Sequence, residues 1–238
     1  MNIALIGYGK MGQAIGTIAQ ARGHKIVCTI DHDNQADFTK ENLSKADVAI
    51  EFTGPHSAVE NLKKSIGFGT PTVCGSTGWL NELPLIEAEV KTHNGAFLYA
   101  SNFSLGVNIF FELNKLLAKL LGNQKEYDVS ITEIHHTAKK DAPSGTAITL
   151  AEQVLTENKT KEHWVNDPTA NPHELFIESL RIDPAPGTHS VYYKSAIDDI
   201  EIKHTAHNRN GFALGAVLAA EFLAGKKGIF TMKDVLGI

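Results

Sequence analysis

The sequence has 238 residues, of which 42% are hydrophobic and 21% charged, and its formal net charge is −5. This composition is typical of a folded globular protein with one large domain or two modest ones. The negative charge argues against general electrostatic binding of nucleic acid, and no apolar run is long enough to span a membrane. The first residues already form an apolar run, without a basic region or cleavage site, so we expect a cytoplasmic protein.

The first hundred residues alternate between short apolar runs and helical patterns. We predict strands at residues 2–6, 24–30, 46–52, 70–75 and 96–100, and helices at residues 10–21, 56–66 and 81–93. Strands that alternate with helices in this way predict a parallel sheet covered on both faces. Cys28 and Cys74 lie in two of the strand-like runs, where we expect buried, reduced thiols and no metal site.

The pattern changes after residue 101. A helix is predicted at 105–121, and its expected buried face comprises Leu105, Ile109, Leu113, Leu116, Leu117 and Leu120. A strand at 128–134, a helix at 144–158, three closely spaced strands at 175–182, 188–195 and 198–206, and a buried helix at 211–224 follow. The short turns between the last three strands favour an antiparallel or mixed sheet.

These elements predict an α/β protein. A Rossmann-like, doubly wound parallel sheet forms the dinucleotide-binding domain, residues 1–103, which residues 213–238 complete. An inserted α+β domain with a mixed sheet, residues 104–212, is expected to bind the substrate and to form the oligomer.

The first turn reads GYGKMG, with Gly7, Gly9 and Gly12 placed between a strand and a helix. Glycines at this spacing permit a tight turn and let backbone N–H groups approach a pyrophosphate. Asp31 follows the second strand, nineteen residues after Gly12, where a carboxylate accepts hydrogen bonds from ribose hydroxyls. The alternative is a glycine turn that only packs the helix on the strand, but the context favours a dinucleotide.

Small polar turns follow three later strands, at residues 51–55, 75–78 and 101–104. In open α/β sheets ligands bind at the carboxyl ends of the strands. We therefore expect the nicotinamide and its ribose to lie along these turns.

The segment EIHHTAKKDAPSGTA, residues 133–147, combines acid groups with anion ligands. Histidine exchanges protons near neutral pH, and two lysines add positive charge. Ser144, Gly145 and Thr146 begin a helix whose free N–H groups would receive a carboxylate. The segment thus suits a small polyanion that is protonated while a hydride arrives.

Simpler interpretations of this segment stay open. Adjacent strand residues point to opposite faces, so at most one of His135 and His136 need face a substrate. Ser144 would then be only a helix cap, and Lys140 a solvated charge. Seven of the eleven histidines lie from His135 to His207, but no metal-binding spacing organises them, so we expect no metal.

The motif E-x-H-H-x-x-K-x-D-A-P-S-G-T-A resembles the signature of the 4-hydroxy-tetrahydrodipicolinate reductase (dihydrodipicolinate reductase) family of bacterial lysine and diaminopimelate synthesis. The turns GYGKMG, EFTGP, GSTG and SNFSLGVN occur in the family's order, and the resemblance covers essentially the whole chain. Two further motifs also match the family. One contains Arg181, Gly187 and His189, and the other runs from His204 to Ala216 and includes Arg209.

The resemblance implies a role for each matching residue. His135 would donate or accept a proton and Lys139 would be the second proton donor, whereas His136, Gly145 and Thr146 would bind the dicarboxylate. The residues implied to line the cofactor are Gly7, Tyr8, Gly9, Lys10, Met11, Gly12, Asp31, Gly75, Ser76, Thr77, Ala100, Ser101, Asn102 and Phe103.

The reaction implied is hydride transfer from NADH or NADPH to C4 of a small cyclic unsaturated dicarboxylate, with loss of its hydroxyl as water and protonation at C3. The resemblance also implies a homotetramer assembled through the sheet of the second domain. Family members often have one residue more in the first turn, with Arg where this chain has Lys10, and often Arg where it has His32. These departures leave the choice between NADH and NADPH open, although Asp31 favours NADH.

Two other functions fit the sequence less well. A two-domain dehydrogenase such as aspartate dehydrogenase has no need of His-His-x-x-Lys before Ser-Gly-Thr. A redox-sensing NAD-binding regulator would favour a DNA-binding element or a basic face, and the sequence has neither.

Overall fold

The computed structural model describes residues 1–208 and 210–238, so Arg209 of the last motif lies outside the described residues. The chain divides into two compact units, one made of Met1–Leu105 with Asn210–Ile238 and the other of Gly106–Arg209. Among the described helices, none has the length and apolar character needed to cross a membrane.

Strands and helices are numbered along the whole chain. The strands are β1 (Asn2–Ile6), β2 (Lys25–Ile30), β3 (Val48–Glu51), β4 (Thr72–Cys74), β5 (Ala96–Tyr99), β6 (Asp128–His135), β7 (His163–Val165), β8 (Glu174–Arg181), β9 (Gly187–Lys194), β10 (Asp199–Ala206) and β11 (Gly228–Phe230). The α-helices are α1 (Lys10–Ala21), α2 (Lys40–Leu43), α3 (Ala58–Gly67), α4 (Leu83–Thr92), α5 (Leu105–Leu121), α6 (Gly145–Glu157), α7 (Asn210–Leu223) and α8 (Met232–Leu236).

The first unit is built on a parallel six-stranded sheet in the order β11-β5-β4-β3-β1-β2. Helices α1 and α7 supply one apolar core, which contains Ile15 and Val217, and α3 and α4 supply another, which contains Leu62 and Ile86. The predicted doubly wound sheet with both faces covered is therefore confirmed. The strand order reverses beside β1, so the crevice at the carboxyl ends of β1 and β3 is the expected ligand position.

The second unit contains a mixed five-stranded sheet in the order β10-β9-β6-β8-β7. Strand β6 runs antiparallel to β9 and parallel to β8, as the predicted mixed sheet requires. Alternate residues such as Val129, Ile131 and Val191 are buried together with apolar residues of α5 and α6. This alternation fixes which side chains of each strand lie under the helices.

Some details differ from the sequence predictions. The sequence did not predict β7 and β11, each of three residues, because so short a run shows no measurable periodicity. The predicted buried face of α5 is wrong: Ile109, Leu113 and Leu116 are 47–56% exposed and Leu120 is 64% exposed. The helix instead buries the side that carries Val107, Phe110, Asn114 and Ala118. Because α5 is apolar almost all round, periodicity alone does not select its inward face.

Candidate active site

The glycine turn after β1 is shaped by two close backbone approaches. A Cβ atom on Gly7 would lie 2.2 Å from the carbonyl oxygen of Phe52, and one on Gly12 would lie 2.1 Å from the carbonyl oxygen of Gly7. Gly7 also has a φ of +94°, which strains any residue with a side chain. A Cβ atom on Gly9, the residue before α1, would meet nothing within 4 Å. The turn thus leaves the first N–H groups of α1 accessible to a ligand such as a pyrophosphate.

A cavity of about 490 Å³ lies beside this turn, and Gly7, Gly9, Asp31 and His32 contribute to its wall. Asp31 is exposed, and its carboxylate accepts a hydrogen bond of 2.9 Å from the backbone N–H of His32. A hydrogen bond from the His32 imidazole to Asp33 raises the pKa of that imidazole. The structure therefore brings the glycine turn and the predicted ribose-binding carboxylate to one cavity.

The other predicted residues of this turn differ in exposure. Tyr8 is 38% exposed, and Lys10, the first residue of α1, is exposed as well. Met11 is half-buried and packs against the apolar core of the first unit. Met11 therefore stabilises the turn by packing against the core, in addition to its predicted contact with the cofactor.

The turns after β3 and β4 are joined by a buried carboxylate that the sequence analysis did not single out. Glu51 is 0% exposed and accepts hydrogen bonds from the Ser76 hydroxyl at 3.0 Å, the Thr53 N–H at 3.1 Å and the Thr53 hydroxyl. The Cys74 thiol donates to it as well, at 3.1 Å. The hydrogen bond to buried Glu51 thus fixes the position of Ser76, which is predicted to contact the cofactor.

Gly75 and Phe103, two of the remaining predicted cofactor residues, lie against the ring of Phe52. A Cβ atom on Gly75 would come within 2.0 Å of this ring, so only glycine fits there. Phe103 is 2% exposed and its ring lies 5.6 Å from that of Phe52, so only its backbone can face a ligand. Thr77 and Ser101 are exposed, and Ala100 and Asn102 are half-buried.

In the second unit, the segment of residues 133–147 begins on β6. Glu133 and His135 are buried on this strand, and His136, just beyond it, is half-buried. His135 Nδ1 is hydrogen-bonded to the Glu133 carboxylate. The other ring nitrogen, Nε2, lies next to Gly187, on which a Cβ atom would come within 3.0 Å of it. Glu133 therefore fixes the orientation of the ring, and Gly187 keeps the space beside Nε2 open.

Glu133 has two further partners. It accepts hydrogen bonds from Arg181 Nη2 at 2.9 Å and from the backbone N–H of Ser144 at 3.3 Å. Burial alone would raise the pKa of Glu133, but the hydrogen bonds with His135 and Arg181 outweigh it and lower the pKa to about 2. Glu133 is consequently ionised at neutral pH, and its charge is neutralised by Arg181.

His189 completes this cluster. It is 5% exposed, its Nε2 is hydrogen-bonded to the Ser144 hydroxyl at 3.0 Å, and its ring lies 5.1 Å from that of His135. Burial, and then the charge of His135, lower the pKa of His189 to about 3. His189 is therefore uncharged at neutral pH.

Glu133, Arg181 and His189 had no role predicted from the sequence, although all three belong to the family motifs. One signal was available: Glu133 and His135 are two residues apart on a strand and so share a face. The other contacts depend on strand register, which pairs Glu133 with His189 and His135 with Arg181. A single sequence does not reveal that register.

Lys139 lies in the loop after β6, and its ammonium group bonds both carboxylate oxygens of Asp141, at 2.8 and 2.7 Å. The hydrogen bond from Lys139 lowers the pKa of Asp141. Asp141 therefore restricts where this ammonium group lies.

Helix α6 starts with the residues predicted to bind an anion. The Ser144 hydroxyl caps it by accepting a hydrogen bond from the N–H of Ala147 at 3.2 Å. Gly145 is exposed and Thr146 is half-buried in the first turn, where backbone N–H groups have no partner within the helix. Ser144 is thus a cap, as one interpretation held, and Gly145 and Thr146 offer the N–H groups.

Glu133, His135 and His189 are close enough for a metal, since one ligand atom from each lies within 4.8 Å of the others. The Glu133 carboxylate, however, already bonds a guanidinium, and a second cation there would be repelled by Arg181. The cluster is better suited to holding protons than to holding a metal ion.

The low pKa of His189 predicts a pH-dependent stability. An unfolded histidine takes up a proton near pH 6.5, whereas folded His189 does so only near pH 3. As the pH falls from about 6.5 to 4.5, we expect the wild type to lose up to about 1.4 kcal/mol of unfolding free energy per pH unit more than His189→Gln. Glu133 is present in both proteins, so the pH dependence that its own low pKa adds cancels in this comparison.

Urea unfolding of both proteins between pH 4.5 and 7.5 measures this difference. His163→Gln, which removes a histidine that is 59% exposed, is the control and should follow the wild type. Parallel stability curves for the wild type and His189→Gln would contradict the buried, neutral His189.

The chain is similar to known proteins over both of its units. The chain is 51% identical over 236 residues to the 4-hydroxy-tetrahydrodipicolinate reductase of Christiangramia forsetii, covering 99% of this chain and 98% of the relative. It is 37% identical over 245 residues to the enzyme of the same name from Methanoculleus marisnigri, covering 97% and 96%. A dipicolinate-bound dihydrodipicolinate reductase from a Paenisporosarcina species has the same fold, with a TM-score of 0.79, 22% identity and 97% of each chain covered.

The family model for the N-terminus of dihydrodipicolinate reductase matches residues 1–103, and the model for its C-terminus matches residues 106–236. The two matches include both the glycine turn and the Glu133–His135 pair. The chain therefore belongs to the dihydrodipicolinate reductase family.

Proposed function

We propose that this chain catalyses the NAD(P)H-dependent reduction of 4-hydroxy-tetrahydrodipicolinate to tetrahydrodipicolinate, with loss of water, in lysine and diaminopimelate biosynthesis. The curated relatives carry the name of this activity. The observation that carries the proposal is the buried Glu133–His135 pair, on the strand that leads to Lys139 and to the N-terminus of α6.

The first unit fits a dinucleotide. Its glycine turn tolerates no side chain at Gly7 or Gly12 but is open at Gly9, and Asp31 shares the same cavity. We assign cofactor binding to residues 1–103 with 213–238, through Gly7–Gly12, Asp31, Gly75–Thr77 and Ala100–Phe103. A bound reduced nicotinamide supplies the hydride that is delivered to C4 of the substrate.

His135 is proposed to move the proton. The ionised Glu133 accepts the Nδ1–H of the neutral ring, which leaves Nε2 as the nitrogen that gains and releases a proton. The Glu133 charge also stabilises the imidazolium when Nε2 is protonated. His135 therefore has the geometry of an acid–base group for protonation at C3.

Lys139 is proposed as the second proton donor, with its ammonium group positioned by Asp141. The carboxylates of the substrate are assigned to His136 and to the N–H groups of Gly145 and Thr146. A helix N-terminus binds anions because its N–H groups and its dipole both favour negative charge. Residues 104–212 would thus bind the substrate.

We further propose that the protein acts in the cytoplasm as a homotetramer assembled through the outer face of the second sheet. Phe176, Leu180 and Tyr192 are half-buried on β8 and β9 at positions that alternate with the buried core residues Leu175, Ile177 and Val191. Such a face suits a contact between identical subunits.

The proton-transfer assignment predicts that His135→Gln and Lys139→Met each lower kcat by roughly 10²–10⁴-fold, the usual effect of losing a general acid. NADH affinity should stay unchanged, because the glycine turn and Asp31 belong to the other unit. Lys140→Met, which removes an exposed neighbouring lysine, is the matched control and should keep wild-type kcat.

Thr146→Val provides a contrasting variant in the same assay, because an anion site stabilises the bound substrate as well as the transition state. It should raise the KM for the dicarboxylate more than it lowers kcat. Near-normal kcat in His135→Gln would remove the acid assignment, and loss of NADH binding in every variant would mean that the loop is structural.

The cofactor assignment predicts that Asp31→Ala raises the KM for NADH roughly 10-fold or more, because charged hydrogen bonds to the ribose are lost. The KM for NADPH should rise less, since the same change removes the repulsion between Asp31 and the 2′-phosphate. Steady-state kinetics with both cofactors test this, with Asp167→Ala, which removes an exposed carboxylate of the second unit, as the control. An equal rise in the KM for NADH and for NADPH would show that Asp31 acts only through its hydrogen bond with the backbone of His32.

A further inference from the structure

The loop after β6 carries two residues of the proposed substrate site, His136 and Lys139. Five of the seven residues from 136 to 142 are exposed, and His136 and Lys139 are half-buried. A segment with so little buried surface is held in one conformation mainly by hydrogen bonds, and it opens easily where these are lost. The contacts that hold this loop therefore decide where the Lys139 ammonium group and the His136 ring lie.

Asp183 makes one of these contacts. Its carboxylate accepts two hydrogen bonds from Thr137, one from the backbone N–H at 3.1 Å and one from the hydroxyl at 2.6 Å, so that each carboxylate oxygen has its own donor. The hydroxyl bond and then the backbone bond lower the pKa of Asp183, and the charge of His136 lowers it further. Asp183 is therefore an ionised acceptor at neutral pH, bound to the residue that follows His136.

Strand pairing explains why these two residues meet. Strands β6 and β8 are parallel, His135 pairs with Arg181, and the N–H of Ile182 donates to the carbonyl oxygen of His135 at 2.7 Å. Thr137 and Asp183 each lie two residues beyond the end of their own strand. The register of the sheet thus brings the Asp183 carboxylate to the start of the loop.

The end of β8 holds the loop at a second point as well. Arg181 Nη2 donates to the carbonyl oxygen of Asp141 at 2.6 Å. Lys139 lies midway between the two held residues, Thr137 and Asp141. Its own N–H closes a turn by donating to the carbonyl oxygen of His136 at 3.1 Å. The short segment around the proposed proton donor is therefore fixed on both sides by the terminus of one strand.

We propose that Asp183 is a positioning residue for the reductase reaction: by holding Thr137, it fixes the loop that presents His136 and Lys139 to the dicarboxylate. This role rests on the proposed function. Asp183 is not itself a ligand of the substrate, because a carboxylate and a dicarboxylate repel each other. Its contribution acts through the backbone and hydroxyl of Thr137.

Amide hydrogen exchange of the full chain, followed by mass spectrometry, tests the hold on the loop without any substrate. In Asp183→Ala, the peptide that covers residues 136–143 should exchange roughly 3- to 10-fold faster than in the wild type, because two hydrogen bonds to a charged acceptor are lost at an exposed position. Asp183→Asn should exchange nearly as the wild type does, since the amide oxygen accepts the Thr137 N–H and the amide N–H donates to the hydroxyl oxygen. Asp167→Ala, which removes an exposed carboxylate elsewhere in the second unit, is the control and should leave the exchange of this peptide unchanged.

Steady-state kinetics separate positioning from a general structural role. Asp183→Ala should lower kcat/KM for the dicarboxylate roughly 10- to 100-fold, because a small misplacement of His136 and Lys139 is enough to slow the reaction. The dissociation constant for NADH and the midpoint of urea unfolding should stay near their wild-type values. Asp183→Asn should restore most of kcat/KM, although it removes the charge near His136.

Each outcome decides a different part of the proposal. Unchanged exchange of residues 136–143 in Asp183→Ala would overturn the hold on the loop. An Asp183→Asn enzyme as slow as Asp183→Ala would assign the effect to the charge near His136 and overturn the positioning role. A wild type without reductase activity would overturn the proposed function, whereas the exchange experiment would still decide whether Asp183 holds the loop.

Discussion

The second unit depends on one buried charge. The Glu133 carboxylate is 0% exposed, and an unpaired charge at such a position would be strongly destabilising. It is compensated by Arg181 on β8, by His135 on its own strand and by the N–H of Ser144, where α6 begins. One carboxylate thereby fixes a strand, the neighbouring strand and the cap of a helix relative to one another. Removing it would disturb the proposed acid, and the proposed anion site would lose the contact that positions its first residue.

The first unit shows the same kind of organisation around Glu51. This buried carboxylate joins the turns after β3 and β4, while Gly7 and Gly75 allow the backbone and ring of Phe52 to approach closely. Side chains in these turns are held by hydrogen bonds and packing before any ligand arrives. Preorganisation of this kind lowers the entropy that binding must overcome. In each unit, then, a buried carboxylate determines the shape of the neighbouring part that is proposed to bind a ligand.

The local elements could be predicted from the sequence because their signals are local. The bounds of β1, α1 and α5 agree with the apolar runs and helical periodicity from which they were predicted. The predicted site residues came from the family motifs, and the structure brings three of them, Gly7, Gly9 and Asp31, to one cavity. The roles of Arg181 and His189 were missed because they depend on which strands pair and in what register. The inward face of α5 was predicted wrongly because the helix carries large apolar side chains on both its buried and its exposed sides.

The central claim is that Glu133 determines which nitrogen of His135 exchanges the proton. Nitrogen NMR of isotope-labelled histidine tests it directly, with His135→Gln used to assign the signal. The account predicts that neutral His135 carries its proton on Nδ1 and leaves Nε2 bare, and that Glu133→Gln, whose amide also donates, shifts the population toward the Nε2–H tautomer. A wild-type His135 that is protonated at Nε2 in its neutral form, or a tautomer unchanged in Glu133→Gln, would contradict the account.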